Sequence, residues 1–119
     1  MTISTPVADG DSIVLRVSGD LDLASAGKLF DAGRAALSSD GCQQLCLDVE
    51  GVTFLDSTGL GALIRLRNAA HGAGRDLAIC DPPDRVTRLL QLTGLGSTFH
   101  IVHVKTTAQP YPAGRRLLS

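Results

Sequence analysis

Apolar residues recur along this chain with two different spacings, and the two spacings alternate from one segment to the next. A spacing of two predicts strands with one better-buried face, and the strand-like segments are residues 13–17, 45–49, 77–80 and 99–104. A spacing of three to four predicts amphipathic helices, and the helix-like segments are residues 23–37, 58–73 and a short one carrying Val86, Leu89 and Leu90. Gly19 is expected to end the first strand, residues 50–56 to form a loop, and Gly94 to end the third helix.

Strands that alternate with helices favour parallel pairing, with the helices covering the sheet. We therefore predict one α/β domain over residues 1–119, with a mixed, mostly parallel sheet of four to five strands covered by about four helices. Its core is expected at about residues 8–104. Residues 105–119 contain Pro110, Pro112 and Gly114 with little apolar periodicity, and we expect a mobile tail there.

Composition narrows the functional classes. The net charge of -1 gives no broad field that would favour nucleic acid or an anionic membrane surface. No apolar run approaches the roughly 20 residues that span a bilayer, and the amino terminus lacks the pattern of a signal peptide. We therefore expect a cytoplasmic protein with no nucleic-acid or membrane partner.

Three cysteines, Cys42, Cys46 and Cys80, show neither a disulfide framework nor a zinc-ligand spacing. We interpret them as reduced thiols in or near the core, and we expect no metal and no cofactor. Redox pairing of Cys46 with Cys42 or with Cys80 stays open as a minor alternative. Cys42 could reach Cys46 only if a turn brought the two together, because four extended residues hold them too far apart for a disulfide.

The stretch from residue 45 to residue 66 carries the most chemical information. A buried strand ends there, and the sequence Phe54-Leu55-Asp56-Ser57-Thr58-Gly59-Leu60-Gly61 leads into a helix. We expect Ser57 to cap that helix through its hydroxyl oxygen, which is worth roughly 1 kcal/mol relative to alanine. Gly59 and Gly61 fall in the first turn, where glycine is costly, and this suggests that another group approaches closely.

The outer face of this helix carries a second signal. At about 100° per residue, the helical core stripe contains Ala62, Leu63, Leu66, Ala69, Ala70 and Ala73. Leu60 and Ile64 fall on the far side, where an exposed apolar pair would invite a partner. The alternative is that the chain end or a neighbouring loop covers both residues.

The sequence resembles the STAS domains (sulphate transporter and anti-sigma factor antagonist), and within them the stand-alone anti-sigma factor antagonists. Three segments carry the resemblance: residues 18–24, residues 54–61, and residues 86–95 with the ending Thr93-Gly94-Leu95. The Asp-Ser-Thr-Gly-Leu element is the most specific of them. By this resemblance Ser57 is the phosphoacceptor, with Thr58 a less favoured neighbouring hydroxyl.

The resemblance also implies a partner-switching cycle. The unphosphorylated protein would bind an anti-sigma factor that is also a serine kinase, phosphorylation would dissociate the complex, and a serine phosphatase would restore binding. We expect the loops after two neighbouring strands to converge at one sheet edge, and the expected partner contacts are Asp20, Asp22, Asp56, Ser57, Thr58, Gly59, Leu60 and Ile64. Asp22 would also cap the first helix.

The sequence also bears on two other functional classes. An enzyme would need a base beside a nucleophile, but His71, His100 and His103 are not placed near Ser57, and the nucleophile-elbow, phosphate-loop and dinucleotide patterns are missing from the sequence. We therefore expect no enzymatic activity. The stronger alternative is an accessory STAS module of a membrane transporter or a lipid-trafficking complex, although such modules often lack the phosphoacceptor serine.

Overall fold

This computed structural model describes residues 1–103. The six strands within that range are β1 (Thr2–Ile3), β2 (Val7–Asp9), β3 (Ser12–Leu21), β4 (Gln44–Leu55), β5 (Asp76–Cys80) and β6 (His100–Val102). The three helices are α1 (Ala26–Leu37), α2 (Ser57–Gly72) and α3 (Asp84–Leu92).

The strands form one mixed sheet in the order β1-β3-β4-β5-β6, with β2 also paired to β3. Strands β3 to β6 are parallel to their neighbours, whereas β1 and β2 run antiparallel to β3. The predicted α/β class is confirmed. The described part of the chain has three helices where about four were expected and six strands where four to five were expected, because β1 and β2 are too short to show a period.

Strands β3 and β4 are longer than predicted. Gly19 does not end β3: it adopts a φ of +90° inside the strand, beside one of the two register shifts against β4. A side chain at that φ is strained, whereas glycine tolerates it. Residues 50–55, predicted as loop, continue β4 because Gly51 to Leu55 pair with the extended part of β3.

The main core lies between the helices and one face of the sheet. Leu15, Leu47 and Ile79 from neighbouring strands are completely buried there, together with Leu29 of α1 and Leu66 of α2. Gly33 lets α1 and α2 approach closely, since a Cβ at this position would overlap the side chain of Leu66. Residues pointing the other way, Val14, Cys46, Ala78 and Cys80, form a second and smaller buried cluster.

The sequence also made predictions about the carboxyl-terminal tail and about membrane-spanning helices. The mobile tail predicted at 105–119 lies outside the described residues. No helix within residues 1–103 is long and apolar enough to cross a membrane.

Candidate functional site

The carboxyl ends of β3 and β4 lie side by side at one edge of the sheet. Leu21 pairs with Leu55, and the Asp56 N–H donates to the Leu21 carbonyl at 3.3 Å. The Thr53 hydroxyl donates to the Asp20 carboxylate at 2.9 Å, which ties the two ends together a second time. The expected convergence of the two loops is therefore present.

Asp56, not Ser57, caps α2. Its carboxylate accepts a hydrogen bond from the Gly59 N–H at 2.9 Å, and its backbone is extended, as in an N-cap. Ser57 is the first residue inside the helix. The prediction of a serine cap was wrong by one position, because the carboxylate of the preceding aspartate reaches the free N–H group first.

This arrangement leaves the Ser57 hydroxyl exposed and without a hydrogen-bond partner among residues 1–103. Thr58 is also exposed. The N–H groups of a first helical turn have no partners within the helix, and they form the positive end of the helix dipole. An anion attached to Ser57 would meet favourable electrostatics there.

Gly59 is required by the fold itself. A Cβ at this position would overlap the Leu21 carbonyl oxygen and lie 2.8 Å from Leu21 Cγ. Nothing lies within 4 Å of a Cβ placed on Gly61, so that glycine faces open space. The group that approaches Gly59 closely is therefore β3. Gly59 itself is buried and unavailable to a partner.

Leu60 does not face water. It is only 7% exposed and belongs to the main core, and Ile64 is half-buried against that core. Arg67, on the same side of α2, donates to the Thr98 carbonyl at 2.9 Å, and this contact places the segment before β6 alongside that side of the helix. The prediction that Leu60 and Ile64 form an exposed apolar pair was wrong, because the buried side of α2 is wider than the stripe of residues predicted to face the core.

Comparison with known proteins agrees with this architecture. The family profile described as "Mlab, STAS domain" matches residues 4–103. The chain belongs to the STAS-domain family.

One sequence relative and one protein of known structure, solved in two forms, are informative for this STAS domain. The anti-sigma-B factor antagonist of Staphylococcus aureus is 30% identical over 87 residues, covering 73% of this chain and 80% of that protein. Bacillus SpoIIAA, an anti-sigma factor antagonist, matches in its unphosphorylated form at TM-score 0.68, with 14% identity over 90% of this chain and 94% of that one. Its phosphorylated form matches at TM-score 0.67, with 16% identity over 90% and 96%.

A sulfate transporter family protein from Wolinella succinogenes matches at TM-score 0.68, with 20% identity over 83% of each chain. At these identities the matches to solved structures establish the fold alone. The fold therefore occurs in proteins of both functional classes that the sequence left open.

The loop before α1 is organised by Ser25, which no sequence motif marked as part of the site. This buried hydroxyl accepts from the Asp22 N–H at 2.9 Å and donates to the Asp20 carbonyl at 2.8 Å. The Asp22 carboxylate accepts from the Ala24 N–H at 3.1 Å, so Asp22 shapes the turn into α1 rather than capping the helix itself, which begins at Ala26. The Asp20 carboxylate is tied to the end of β4 through Thr53, and the Asp22 carboxylate is held in the loop that follows β3 at the same sheet edge.

Two exposed apolar side chains lie at the same sheet edge as Ser57 in the STAS domain. Leu23, in the loop after β3, is 78% exposed, and Phe54, near the end of β4, is 49% exposed. The sequence contained only part of this signal: Phe54 falls in the predicted loop 50–56, whereas Leu23 was predicted to begin the first helix. We call Leu23, Phe54, Ser57 and Thr58, together with the Asp20 and Asp22 carboxylates, the Ser57 surface.

The cysteines lie away from the Ser57 surface, and all three are free and buried. Burial raises the pKa of the Cys42 thiol above its ordinary value of 9.0. A hydrogen bond with Cys46, together with burial, raises the pKa of the Cys80 thiol. Raised pKa values disfavour the reactive thiolate, so this environment does not favour the redox alternative.

Proposed function

We propose that this STAS domain is a cytoplasmic anti-sigma factor antagonist switched by phosphorylation of Ser57. In this proposal the unphosphorylated form binds an anti-sigma factor with serine kinase activity and thereby releases a sigma factor. The observation that carries the proposal is the exposed Ser57 hydroxyl at the first position of α2, within the Ser57 surface.

The apolar side chains of the Ser57 surface favour the binding of a protein partner. Leu23 and Phe54 expose large side chains at the same sheet edge, and burying a large apolar side chain is worth about 1.5–3 kcal/mol before the costs of association. The hydroxyls of Ser57 and Thr58 add short polar contacts. Among the residues expected from the sequence, Ile64 stays a candidate contact at half burial, whereas Gly59 and Leu60 lie inside the domain.

The proposed chemistry is a simple phosphoryl transfer. The Ser57 oxygen takes the terminal phosphoryl group of ATP, loses its proton and leaves ADP. A serine phosphatase later hydrolyses the phosphoester with water and returns the free hydroxyl and inorganic phosphate. In both steps the domain acts as a substrate and not as an enzyme.

The charge added to Ser57 has opposite effects on folding and on binding. Phosphoserine carries about -1.5 to -2 charges, and at an exposed helix amino terminus this is favourable by roughly 0.3–1 kcal/mol. Within a complex the same group would be desolvated beside the carboxylates of Asp20, Asp22 and Asp56. We therefore expect phosphorylation to weaken docking while the domain stays folded. The fold of SpoIIAA in both its unphosphorylated and its phosphorylated form supports the second part of this expectation, that the domain stays folded.

The test is incubation of the purified chain with the candidate anti-sigma factor and magnesium ATP, followed by mass spectrometry. We expect one phosphoryl group on the wild type and on the control variant Thr58→Ala, and none on Ser57→Ala, which should still bind. Phosphorylation of Ser57→Ala to the wild-type level would overturn the assignment of the acceptor.

The second candidate is an accessory module of a transporter complex, which the match to the sulfate transporter family protein favours. The two functions differ in what occupies the Ser57 surface. Binding to a transporter component, unaffected by the state of Ser57 and combined with no affinity for an anti-sigma factor, would select the second.

A further inference from the structure

A groove of about 360 Å³ runs between the carboxyl-terminal halves of α1 and α2. Its walls include Phe30, Arg34, Leu37, Ala69, Ala73 and Arg75. Ala69 is twelve residues beyond Ser57 on α2, which corresponds to about 18 Å along the helix axis. The groove is therefore separate from the Ser57 surface.

Positive charge lies at and beside this groove: Arg34 lines it, and Arg65 lies next to it over the ring of Phe30. The guanidinium groups of Arg34 and Arg65 lie 5.7 and 4.5 Å from the centroid of the Phe30 ring. Both arginines are exposed, and within residues 1–103 neither one forms an ion pair or a side-chain hydrogen bond. No acidic residue lines the groove.

Arg75 holds one end of the groove in place. Its Nη1 donates to the Leu37 carbonyl at 2.6 Å and its Nε donates to the Cys42 carbonyl at 2.5 Å. These bonds satisfy carbonyl groups at and beyond the end of α1, so the role of Arg75 is structural. The groups available to a ligand are the N–H groups of Arg34 and Arg65, whose guanidinium carbons lie over the Phe30 ring.

We propose that this groove binds an acidic segment of a protein partner, with carboxylates on Arg34 and Arg65 and an apolar side chain over Ala69 and Ala73. A guanidinium donates in a planar fork that matches a carboxylate, and stacking on an aromatic ring orients that fork before the ligand arrives. The small apolar floor and the overall charge of -1 favour a peptide over a nucleic acid. This interface does not depend on the proposed function of Ser57.

The experiment is an NMR titration of the full-length, isotope-labelled chain with three probes. The first is an acidic hexapeptide of alternating glutamate and leucine, the second is the same peptide with lysine for glutamate, and the third is inorganic phosphate. We expect the acidic peptide alone to shift the amide signals of Phe30, Ala69 and Ala73, with binding that weakens as salt is added.

Variants test the assignment. The double variant Arg34→Gln and Arg65→Gln should weaken binding of the acidic peptide roughly tenfold, and both changes are at exposed positions that the fold does not need. Arg88→Gln is the matched control, since Arg88 is an exposed arginine on α3, and it should bind like the wild type. Arg34→Lys with Arg65→Lys should give an intermediate loss, because lysine keeps the charge without the planar fork.

Several results would overturn the proposal. These are equal shifts with the lysine peptide, unchanged affinity in the double glutamine variant, or the same shifts with phosphate alone. A self-associating chain that becomes monomeric in the double variant would assign the groove to a second copy instead. Phosphorylation of Ser57, measured in the same variants, should stay at the wild-type level and thus separates this proposal from the proposed function.

Discussion

The contrast between Gly59 and Gly61 offers the sharpest test of how α2 is positioned. Both glycines lie in the first turns of the helix, so alanine should be intrinsically favourable at each position by up to about 1 kcal/mol. A Cβ on Gly61 meets open space, whereas a Cβ on Gly59 would lie 2.8 Å from Leu21 Cγ and overlap the Leu21 carbonyl oxygen.

The cost at Gly59 follows from what would have to move. Comfortable carbon contacts are about 3.5–4.0 Å, so α2 and the end of β3 must separate by an appreciable fraction of an ångström. The Leu21 carbonyl cannot rotate away, because it is part of the backbone and accepts the Asp56 N–H at 3.3 Å. Overpacking of this kind costs about 1–3 kcal/mol, and we expect Gly59→Ala to be destabilising by about that amount.

Urea unfolding followed by far-ultraviolet circular dichroism measures this effect, since the chain has no tryptophan and a single tyrosine. Gly61→Ala is the matched control and should unfold at the same or a slightly higher urea concentration. A stability loss of 1 kcal/mol corresponds to roughly 4–8 °C in the thermal midpoint of a domain of this size. If Gly59→Ala proved as stable as Gly61→Ala, the close approach of α2 to β3 would be refuted.

Three further predictions separate the core from the surface. Leu60→Ala should destabilise the domain by about 2–4 kcal/mol in urea unfolding, because Leu60 is buried. An unchanged free energy of unfolding would show that Leu60 lies on the surface instead. Leu23→Ala and Phe54→Ala should change the unfolding midpoint little and weaken binding to the anti-sigma factor about tenfold each in calorimetric titrations, and unchanged affinity would remove the pair from the docking surface. The thiols of Cys42 and Cys80, whose pKa values are raised in the folded state, should resist iodoacetamide until the chain unfolds. The free energy of unfolding should also fall as the pH rises above about 9, where unfolded thiols ionise and folded ones do not, and thiol labelling of the native protein at pH 8 would contradict this.

The fold class followed from sequence because its signals are local. Alternating apolar residues predicted β3, β4 and β5, and helical spacing predicted α1 and α2. The ends of β3 and β4 were missed because glycine reads as a break in a pattern. Gly19 and Gly51 are instead tolerated within long paired strands, where pairing between distant segments overrides local preference.

Part of the site could also be predicted, because its most specific sequence element is local. Asp56 and Ser57 stand out by their position after a strand, but their roles at the helix start depend on which oxygen reaches the Gly59 N–H. The burial of Leu60 depends on how α2 packs against the rest of the core, which a projection of a single helix cannot contain. The exposure of Phe54 likewise depends on the sheet ending there.

The proposed switch requires that a charge at Ser57 strongly weakens docking while the domain stays folded. The most direct test is a calorimetric comparison of one anti-sigma factor binding to the unphosphorylated chain and to the chain phosphorylated at Ser57. We predict a dissociation constant at least a hundredfold larger for the phosphorylated form, which corresponds to a loss of about 3 kcal/mol. Equal dissociation constants for the two forms would contradict the account.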